Sequence, residues 1–471
     1  MKKQPAEKSY FFDKGYRDVA RVMRISWKTA LNPVKNEISR VSKIFSASIF
    51  NGIITLICDL FVFGIITAFI LSFNTVLSVL FLSIIAVTAV LVYLGFTFAA
   101  LFDFQFCLLK KFSNICPHCQ SRFMMPTYQC GTCGALHTQL RPSKYGILKR
   151  RCKCGTKLPT TFFNGRQKLL AVCPNCFYSL KDGGQHREIS IPVVGGPSSG
   201  KTCFITTAIS QIGKIAPANR LVFSYSPITG DDYQQNAYRI EQGERPAKTS
   251  DTRLKYYQFY LTPVGAKYKN LISICDVAGE IYENTYDIEK QIGFKHSDGF
   301  ILIIDPLSLY KYRHELMCKG SVNLHQYGVS MRSVEEVLDV LIDTLENMRC
   351  VGTKNAVNAD VAVVFTKCDI PGLADKIGSR AVSQYAKAHH VSKYDAQNAV
   401  CKQFLEDYEE DNFLNRIYSK FRTVQFFTCS ALGHNENGCK FVSSGVEEPI
   451  LWMIDKASSS INLSQKWGKK I

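Results

Sequence analysis

Residues 195–202 read Gly-Gly-Pro-Ser-Ser-Gly-Lys-Thr, which fits the phosphate-binding loop pattern G-x-x-x-x-G-K-[ST]. A strand is predicted directly before this loop, over Glu188–Val194, and an apolar helix directly after it, over Cys203–Ile215. Such a loop needs a buried strand and a helix that meet at a tight, glycine-rich turn. The pattern therefore predicts an α/β fold, with a mostly parallel sheet and helices on both faces.

Each part of this loop has a predicted task in holding a nucleoside triphosphate. Backbone N–H groups wrap the β-phosphate, and glycine permits the close approach. Lys201 is predicted to reach the β- and γ-phosphates, and the Thr202 hydroxyl to ligate Mg²⁺. The predicted nucleotide-binding residues of the loop are Gly195, Ser198, Ser199, Gly200, Lys201 and Thr202.

Three further short motifs follow predicted buried strands downstream. They are Asp276-Val-Ala-Gly279 after Asn270–Cys275, Thr366-Lys367-Cys368-Asp369 after Ala362–Phe365, and Ser430-Ala431 after Val424–Thr428. The carboxyl ends of parallel strands meet at one edge of an open α/β sheet, where ligands bind. The motifs and the phosphate-binding loop are therefore predicted to form one site.

Together these motifs resemble the translation-factor-related and Ras-like class of P-loop GTPases, over about residues 188–460. The resemblance implies that Asp276 holds Mg²⁺ through water and that the Gly279 N–H senses the γ-phosphate. It implies that Asp369 accepts the N1–H and 2-amino hydrogens of guanine, which opposes an ATPase. Lys367 would lie along the base, and the Ser430–Ala431 backbone would meet its O6. The expected ligands are GTP or GDP with Mg²⁺.

Some positions depart from the pattern of that class or leave alternatives open. Thr366 stands where asparagine is usual. Glu280 follows the DxxG motif, where glutamine often orients the attacking water. A carboxylate there repels the γ-phosphate and predicts slow hydrolysis, but a solvated loop charge is the alternative interpretation. The switch threonine is predicted at Thr249, with Thr252 as the second candidate and an ordinary loop hydroxyl as the alternative.

Eight of the 18 cysteines stand in spaced pairs. The pairs are Cys116 and Cys119, Cys130 and Cys133, Cys152 and Cys154, and Cys173 and Cys176. Two such pairs on separate turns form the tetrahedral four-thiolate cage that zinc prefers. Taken in chain order, the first two pairs predict one zinc site and the last two a second, in a double zinc ribbon over residues 110–187. Disulfides are the alternative, which a cytoplasmic location disfavours.

Two apolar runs, roughly Ala47–Leu71 and Val76–Leu101, are each long enough to cross a bilayer. They predict a transmembrane helical hairpin over residues 47–102, with a turn at Ser72–Thr75. Lys and Arg flank both ends, which predicts an inner-membrane protein with both termini in the cytoplasm. Asp59 in the first run is interpreted as a contact between copies of the chain, with a proton or ion site as the alternative.

The net charge of +18 is concentrated in the first 190 residues, since residues 191–471 carry 32 basic and 31 acidic side chains. A uniformly basic nucleic-acid binder is thereby excluded. The basic segment 1–46 is predicted to form a helix on the anionic membrane surface or on the soluble domain. Basic residues of the ribbon are assigned to lipid head groups ahead of a protein partner or nucleic acid. A basic tail over 461–471 ends the chain.

A membrane hairpin, paired zinc ribbons and a GTPase domain over 188–460 also resemble the bacterial double-GTPase families associated with conflict systems. The resulting hypothesis is a membrane-anchored, cytoplasm-facing GTP-binding switch with unknown effectors or activating proteins. The rival hypothesis is a membrane scaffold that binds partners through its zinc ribbons and has a nucleotide pocket without hydrolysis.

Overall fold

The computed structural model describes residues 4–180, 186–227, 229, 231–244, 246, 255–266, 269–276, 296–319, 327–330, 332–348, 357–433 and 442–458. For residues 59, 60, 231, 232, 357 and 358 it describes the backbone alone. The chain divides into two compact units. The first comprises Met1–Lys110 and Pro126–Val172, and the second comprises Lys111–Met125 and Cys173–Ile471. The segment 110–187, predicted as one double ribbon, contributes to both units.

The described helices are α1 (Lys14–Ala47), α2 (Ile49–Leu109), α3 (Lys201–Ile215), α4 (Asp231–Glu241), α5 (Tyr310–Lys319), α6 (Val334–Met348), α7 (Leu373–Ile377), α8 (Ser379–His389), α9 (Lys393–Asp407), α10 (Asp411–Lys420) and α11 (Glu448–Ala457). The described strands are β1 (Asn114–Ile115), β2 (Arg122–Phe123), β3 (Thr127–Gln129), β4 (Leu136–His137), β5 (Lys149–Arg151), β6 (Lys157–Pro159), β7 (Ala171–Val172), β8 (Ser179–Leu180), β9 (Arg187–Gly195), β10 (Leu221–Tyr225), β11 (Lys255–Pro263), β12 (Asn270–Asp276), β13 (Gly299–Ile304), β14 (Val357–Phe365) and β15 (Phe421–Thr428). Short 3₁₀ helices lie at Tyr10–Phe12, Arg166–Lys168, Pro217–Asn219 and Pro306–Ser308.

In the first unit, α2 is one continuous helix where the sequence predicts two helices and a turn at Ser72–Thr75. The polar side chains of that tetrapeptide bond back to their own helix. Ser72 Oγ donates to Phe69 O at 2.9 Å, and Thr75 Oγ1 donates to Leu71 O at 2.7 Å. Because these hydroxyls are satisfied locally and the segment contains neither glycine nor proline, nothing in it ends the helix.

The reversal of chain direction occurs instead at Ser48, and α1 packs antiparallel along α2. Two polar contacts fix this pairing. Ser26 Oγ donates to Asn74 Oδ1 at 2.7 Å, and Trp27 Nε1 donates to Ser78 Oγ at 3.0 Å. The basic segment predicted for 1–46 is thus mostly helical and packs on the apolar helix of its own unit.

Within the described residues, one helical segment is long and apolar enough to cross a membrane, by length and composition. It is the part of α2 from Phe61 to Leu109. The hypothesis of two spans is not supported, since the predicted runs form a single helix. A buried ion pair joins the end of α2 to the rest of the first unit, with Arg166 Nη1 at 2.7 Å from Asp103 Oδ2. Asp103 Oδ1 also accepts from the Phe162 N–H at 2.8 Å.

The second unit is built on a seven-stranded sheet with the order β10-β11-β12-β9-β13-β14-β15. Strand β12 runs parallel to β9, β9 to β13, β13 to β14 and β14 to β15. Within this sheet, the antiparallel pairs among the described strands are β10 with β11 and β11 with β12. The predicted α/β fold with a mostly parallel sheet is confirmed.

Helices cover both faces of this sheet, because alternate residues of each central strand belong to different apolar cores. Ile303 packs in a core with Phe204 of α3 and Trp452 of α11. Its neighbour Leu302 packs in the other core, with Leu338 of α6 and with residues of α9 and α10. The parallel strands β9, β12, β13, β14 and β15 all end at the same edge of the sheet, and the loops that follow them meet there.

Candidate functional site

The phosphate-binding loop lies between the end of β9 and the start of α3. Ser198 and Gly200 have φ values of 59° and 88°, so the loop turns through the left-handed region twice. Lys201 Nζ donates to Gly195 O and Gly196 O, both at 2.8 Å. The ammonium group is thus held across the loop by two carbonyl oxygens that it can exchange for phosphate oxygens.

Gly195 can only be glycine, because a Cβ there would lie 2.9 Å from both Ile303 O and Ser199 Oγ. The Ser199 side chain is 1% exposed, and its Oγ has no hydrogen-bond partner among the described residues. A buried, unpartnered hydroxyl is costly unless a ligand or water satisfies it. The loop is therefore tightly packed around a buried hydroxyl that is available to a ligand.

Thr202 and Asp276, the two predicted Mg²⁺ residues, lie together. Thr202 Oγ1 donates to Asp276 Oδ2 at 2.9 Å. Asp276 is 3% exposed, and its Oδ1 has no hydrogen-bond partner in the part of the chain that the structure describes. Burial raises the pKa of this carboxyl, and nearby Lys201 opposes the rise. Buried oxygen ligands with an unpartnered carboxylate oxygen fit a hard divalent cation such as Mg²⁺.

The Thr366–Asp369 motif contacts both the phosphate-binding loop and the next motif. Thr366 Oγ1 donates to Ser199 O at 2.8 Å, and Lys367 Nζ donates to Ser198 O at 3.0 Å. Asp369 Oδ1 accepts from Ser430 Oγ at 2.6 Å. Ala431 follows and is 8% exposed. All predicted residues of the base and phosphate corners that the structure describes are thus brought to one edge of the sheet.

Asp305, which the sequence analysis did not assign to the site, anchors Lys367. Its Oδ2 lies 2.7 Å from Lys367 Nζ and accepts from the Ser330 N–H at 3.0 Å, while its Oδ1 accepts from the Leu307 N–H at 3.0 Å. The side chain of Asp305 is fully buried. It directly follows β13 at the carboxyl edge of the sheet, and this position is the signal that would have identified it.

We expect Asp305→Ala to weaken GTP binding about tenfold, or about 1.4 kcal/mol. Without the Asp305 carboxylate, Lys367 loses the ion pair that keeps its ammonium group within hydrogen-bonding distance of Ser198 O. Titration with fluorescent GTP measures the change. The matched control is Asp360→Ala, which also removes a buried carboxylate from a basic partner. Asp360 Oδ1 accepts from Arg422 Nε at 3.0 Å, at the end of β14 that is opposite to Lys367. Equal affinity losses in both variants would contradict the assigned role of Asp305.

Several predicted residues lie outside the described part of the chain. They are Thr249, Thr252, Gly279, Glu280 and the tail 461–471. The side chain of Asp59 also lies outside the described residues. The switch, hydrolysis and oligomer hypotheses that depend on them stay predictions.

The eight paired cysteines form two groups of four, nested along the chain. The outer cluster contains Cys116, Cys119, Cys173 and Cys176, and the inner cluster contains Cys130, Cys133, Cys152 and Cys154. In each cluster the sulfur atoms lie within 4.8 Å of one another. Four clustered cysteine sulfurs are the donor set that tetrahedral zinc takes, so each group can hold one ion.

The eight residues were predicted correctly, but their grouping in chain order was wrong. The register of β3 and β7 gives the reason. Val172 pairs with Thr127, and Ala171 pairs with Tyr128. Cys130 therefore follows β3 at one end of this pair, whereas Cys173 follows β7 at the other end. A sequence contains the spacing of each pair but not this register, which decides which pairs meet.

The thiol of Cys154 in the inner cluster is prepared to bind a metal as thiolate. Its Sγ lies 3.2 Å from Thr156 Oγ1, and hydrogen bonding with the side chain and the backbone of Thr156 lowers the pKa of the thiol to about 6. Only the thiolate ligates zinc, so the lowered pKa favours metal binding by Cys154.

The sheet order, the phosphate-binding loop and the motifs that meet it define the second unit as a P-loop nucleotide-binding domain of the GTPase type. Residues 189–418 match the family model described as Double-GTPase 2. This part of the chain is thus a domain of the double-GTPase family, which indicates a GTP-binding protein. No curated protein matches the chain in sequence.

Proposed function

We propose that the chain is a membrane-anchored GTP-binding protein that hydrolyses GTP slowly and acts as a nucleotide switch. The observation that carries the proposal is the direct contact between the base motif and the phosphate-binding loop, through Thr366 to Ser199 O and Lys367 to Ser198 O. This contact sets a fixed distance between the two corners, so that one nucleotide can occupy both.

In this proposal, the residues of the site hold three parts of the nucleotide. Lys201 leaves its carbonyl partners, Gly195 O and Gly196 O, for the β- and γ-phosphates. Thr202 and Asp276 would hold Mg²⁺, which would supply positive charge beside the phosphates. Asp369 accepts two hydrogen bonds from guanine, and Ser430 orients that carboxylate by its own hydrogen bond. Gly279 would report the γ-phosphate to the loop that follows β12.

Slow hydrolysis is supported by the sequence alone. Glu280 takes the position of the residue that orients the attacking water, and its negative charge disfavours water activation beside the γ-phosphate. An activating partner would then be required for rapid turnover. Without one, the GTP-bound state persists long enough to recruit an effector.

Single-turnover hydrolysis by the full-length protein in detergent tests this function. We expect GTP to bind with Mg²⁺ and to be hydrolysed at about 10⁻⁴ to 10⁻³ per second, as in GTPases without an activator. Preparations of Lys201→Ala give the background rate of contaminating phosphatases. Release of phosphate no faster than that background would favour the rival scaffold without hydrolysis, and equal binding of ATP and GTP would overturn the GTPase.

Membrane anchoring is proposed through α2. Its apolar side chains, such as Phe61 and Phe69, are 74% and 71% exposed, which in water is unfavourable over so long a surface. A helix of 61 residues is about 90 Å long, and a hydrocarbon core of about 30 Å needs only a third of it. Lys110 and Lys111 directly after α2 support a cytoplasmic location of the nucleotide-binding unit in this proposal, by the positive-inside rule.

Carbonate extraction of the native membranes tests the anchor. We expect the chain to stay in the membrane pellet at high pH and in 1 M salt, conditions that release proteins held by charge alone. Release by salt alone would show that the basic side chains of α1, and not the apolar surface of α2, hold the protein at the membrane.

A further inference from the structure

The strand that carries the phosphate-binding loop begins beside the outer cysteine cluster. Residues 113–115 lie along the first residues of β9, with Ser113 and Arg187 paired as a parallel bridge. The Ile115 N–H donates to Glu188 Oε2 at 2.6 Å, and Asn114 Nδ2 lies 3.0 Å from His186 Nε2. Ile115 directly precedes Cys116, so the first cysteine of the cluster follows this contact.

Glu188 makes this contact deep inside the second unit. Its side chain is on β9, which is buried along its whole length, and Glu188 itself is 5% exposed. Its other carboxylate oxygen, Oε1, lies 3.5 Å from Gln258 Nε2 on β11. A carboxyl oxygen buried to this extent is costly when it loses its hydrogen-bond donor. The Ile115 N–H is therefore part of what keeps the start of β9 in place.

Ile115 owes its position to the hairpin that carries Cys116 and Cys119. Strand β1 pairs with β2, and the Cys116 N–H donates to Ser121 O at 3.1 Å. The turn at Cys173 and Cys176 is closed in the same way, with the Cys173 N–H donating to Tyr178 O at 2.9 Å. Both β1 and β2 have only two residues, so they bury too little surface to hold a hairpin unaided.

We propose that the outer cysteine cluster is a structural zinc site of the nucleotide-binding domain itself, and that zinc there fixes the amino-terminal end of β9 through Ile115 and Glu188. The inner cluster belongs to the first unit and has no such role. Loss of zinc from the outer cluster therefore loosens the strand that ends in the phosphate-binding loop, whereas loss from the inner cluster does not. This inference does not depend on which nucleotide the site binds.

Two cysteine variants of the full-length protein in detergent give a matched comparison. Cys173→Ser removes a fully buried ligand of the outer cluster, and Cys152→Ser removes an equally buried ligand of the inner cluster. Elemental analysis should find two zinc ions in the wild type and one in each variant. Hydrogen exchange, detected by mass spectrometry, then measures how fast the backbone amide hydrogens of Arg187–Gly195 exchange with solvent. We expect exchange about 100-fold faster or more in Cys173→Ser, and unchanged exchange in Cys152→Ser.

A second pair of variants tests the contact while leaving both clusters intact. Glu188→Gln keeps an oxygen that accepts from the Ile115 N–H, whereas Glu188→Leu removes it at similar volume. We expect two zinc ions in both, with exchange at the start of β9 about tenfold faster in the leucine variant than in the glutamine variant. Should Cys173→Ser fail to fold while Cys152→Ser folds, the proposal is supported in its strongest form.

Three results would overturn the proposal. The first is wild-type protein that lacks zinc and holds its paired cysteines as disulfides. The second is Cys173→Ser that has lost one zinc ion and still protects β9 as the wild type does. The third is equal exchange at β9 in the two Glu188 variants. Each of these readouts is independent of GTP binding, so a failure here is distinguishable from a failure of the proposed function.

Discussion

Asp369→Asn should change the preferred base from guanine to xanthine. The carboxylate accepts two hydrogen bonds from guanine, whereas an asparagine offers one acceptor and one donor, which suits the 2-oxo group of xanthine. ATP should bind the wild type about 10³-fold more weakly than GTP, because adenine offers no donors to the half-buried Asp369 carboxylate, which keeps its hydrogen bond from Ser430 but loses the two from the base. In the variant, we expect GTP to lose most of its preference in affinity over ATP, and xanthosine triphosphate to become the preferred nucleotide.

Titration of both proteins with fluorescent GTP, ATP and xanthosine triphosphate measures the change. The control is Asp375→Asn, the same chemical change at an exposed aspartate on α7 whose partner is Arg380 at 3.4 Å. It should leave the order of the three affinities as in the wild type. An unchanged order in Asp369→Asn as well would mean that Asp369 merely ends a strand and caps the turn after it.

Lys201→Ala should reduce nucleotide affinity by at least about 100-fold, or about 2.7 kcal/mol. The lysine supplies the one ammonium group that bridges the loop carbonyls of Gly195 and Gly196, and charge-assisted contacts to phosphate are among the strongest available to a protein. The fold should survive, because a shorter side chain leaves the backbone of the loop in place.

Equilibrium binding of GTP with Mg²⁺ measures this loss, and thermal unfolding without nucleotide checks the fold. Lys214→Ala is the matched control, since Lys214 is an exposed lysine in the last turn of the same helix. A variant at Lys201 that binds GTP as tightly as the Lys214 control would contradict the assignment of this loop to phosphate.

The fold of the second unit could be predicted from the sequence because its information is local. Gly195–Thr202 contains its own turn chemistry, and strands such as β13 and β14 are apolar runs that end at polar motifs. Their order along the chain then dictates the parallel sheet. The same reasoning predicted that Thr202 and Asp276 would meet, because both follow neighbouring parallel strands.

What the sequence could not provide depends on long-range geometry. The turn predicted at Ser72–Thr75 comes from interpreting two apolar runs of spanning length as two separate helices. The polar residues between the runs do not end the helix, because their hydroxyls donate to carbonyl groups of the preceding turn. The position of Asp305 after β13 indicates that it lies at the site, but its role depends on its contact with Lys367, which lies in a different motif. No periodicity within either segment predicts that contact.

The nesting of the two cysteine clusters has a consequence for the order in which they assemble. Closing a loop costs more chain entropy as the loop lengthens, and residues 134–151 of the inner loop are far fewer than residues 120–172 of the outer one. Once the inner cluster has closed, residues 130–154, nearly half of the chain between Cys119 and Cys173, are already linked. The inner ion thus lowers the entropic barrier for the outer one, and during synthesis the inner set of four ligands is also complete first, at Cys154 rather than at Cys176. Metal loading should therefore proceed from the inside outward, and the nucleotide-binding unit should be the last part of the chain to mature.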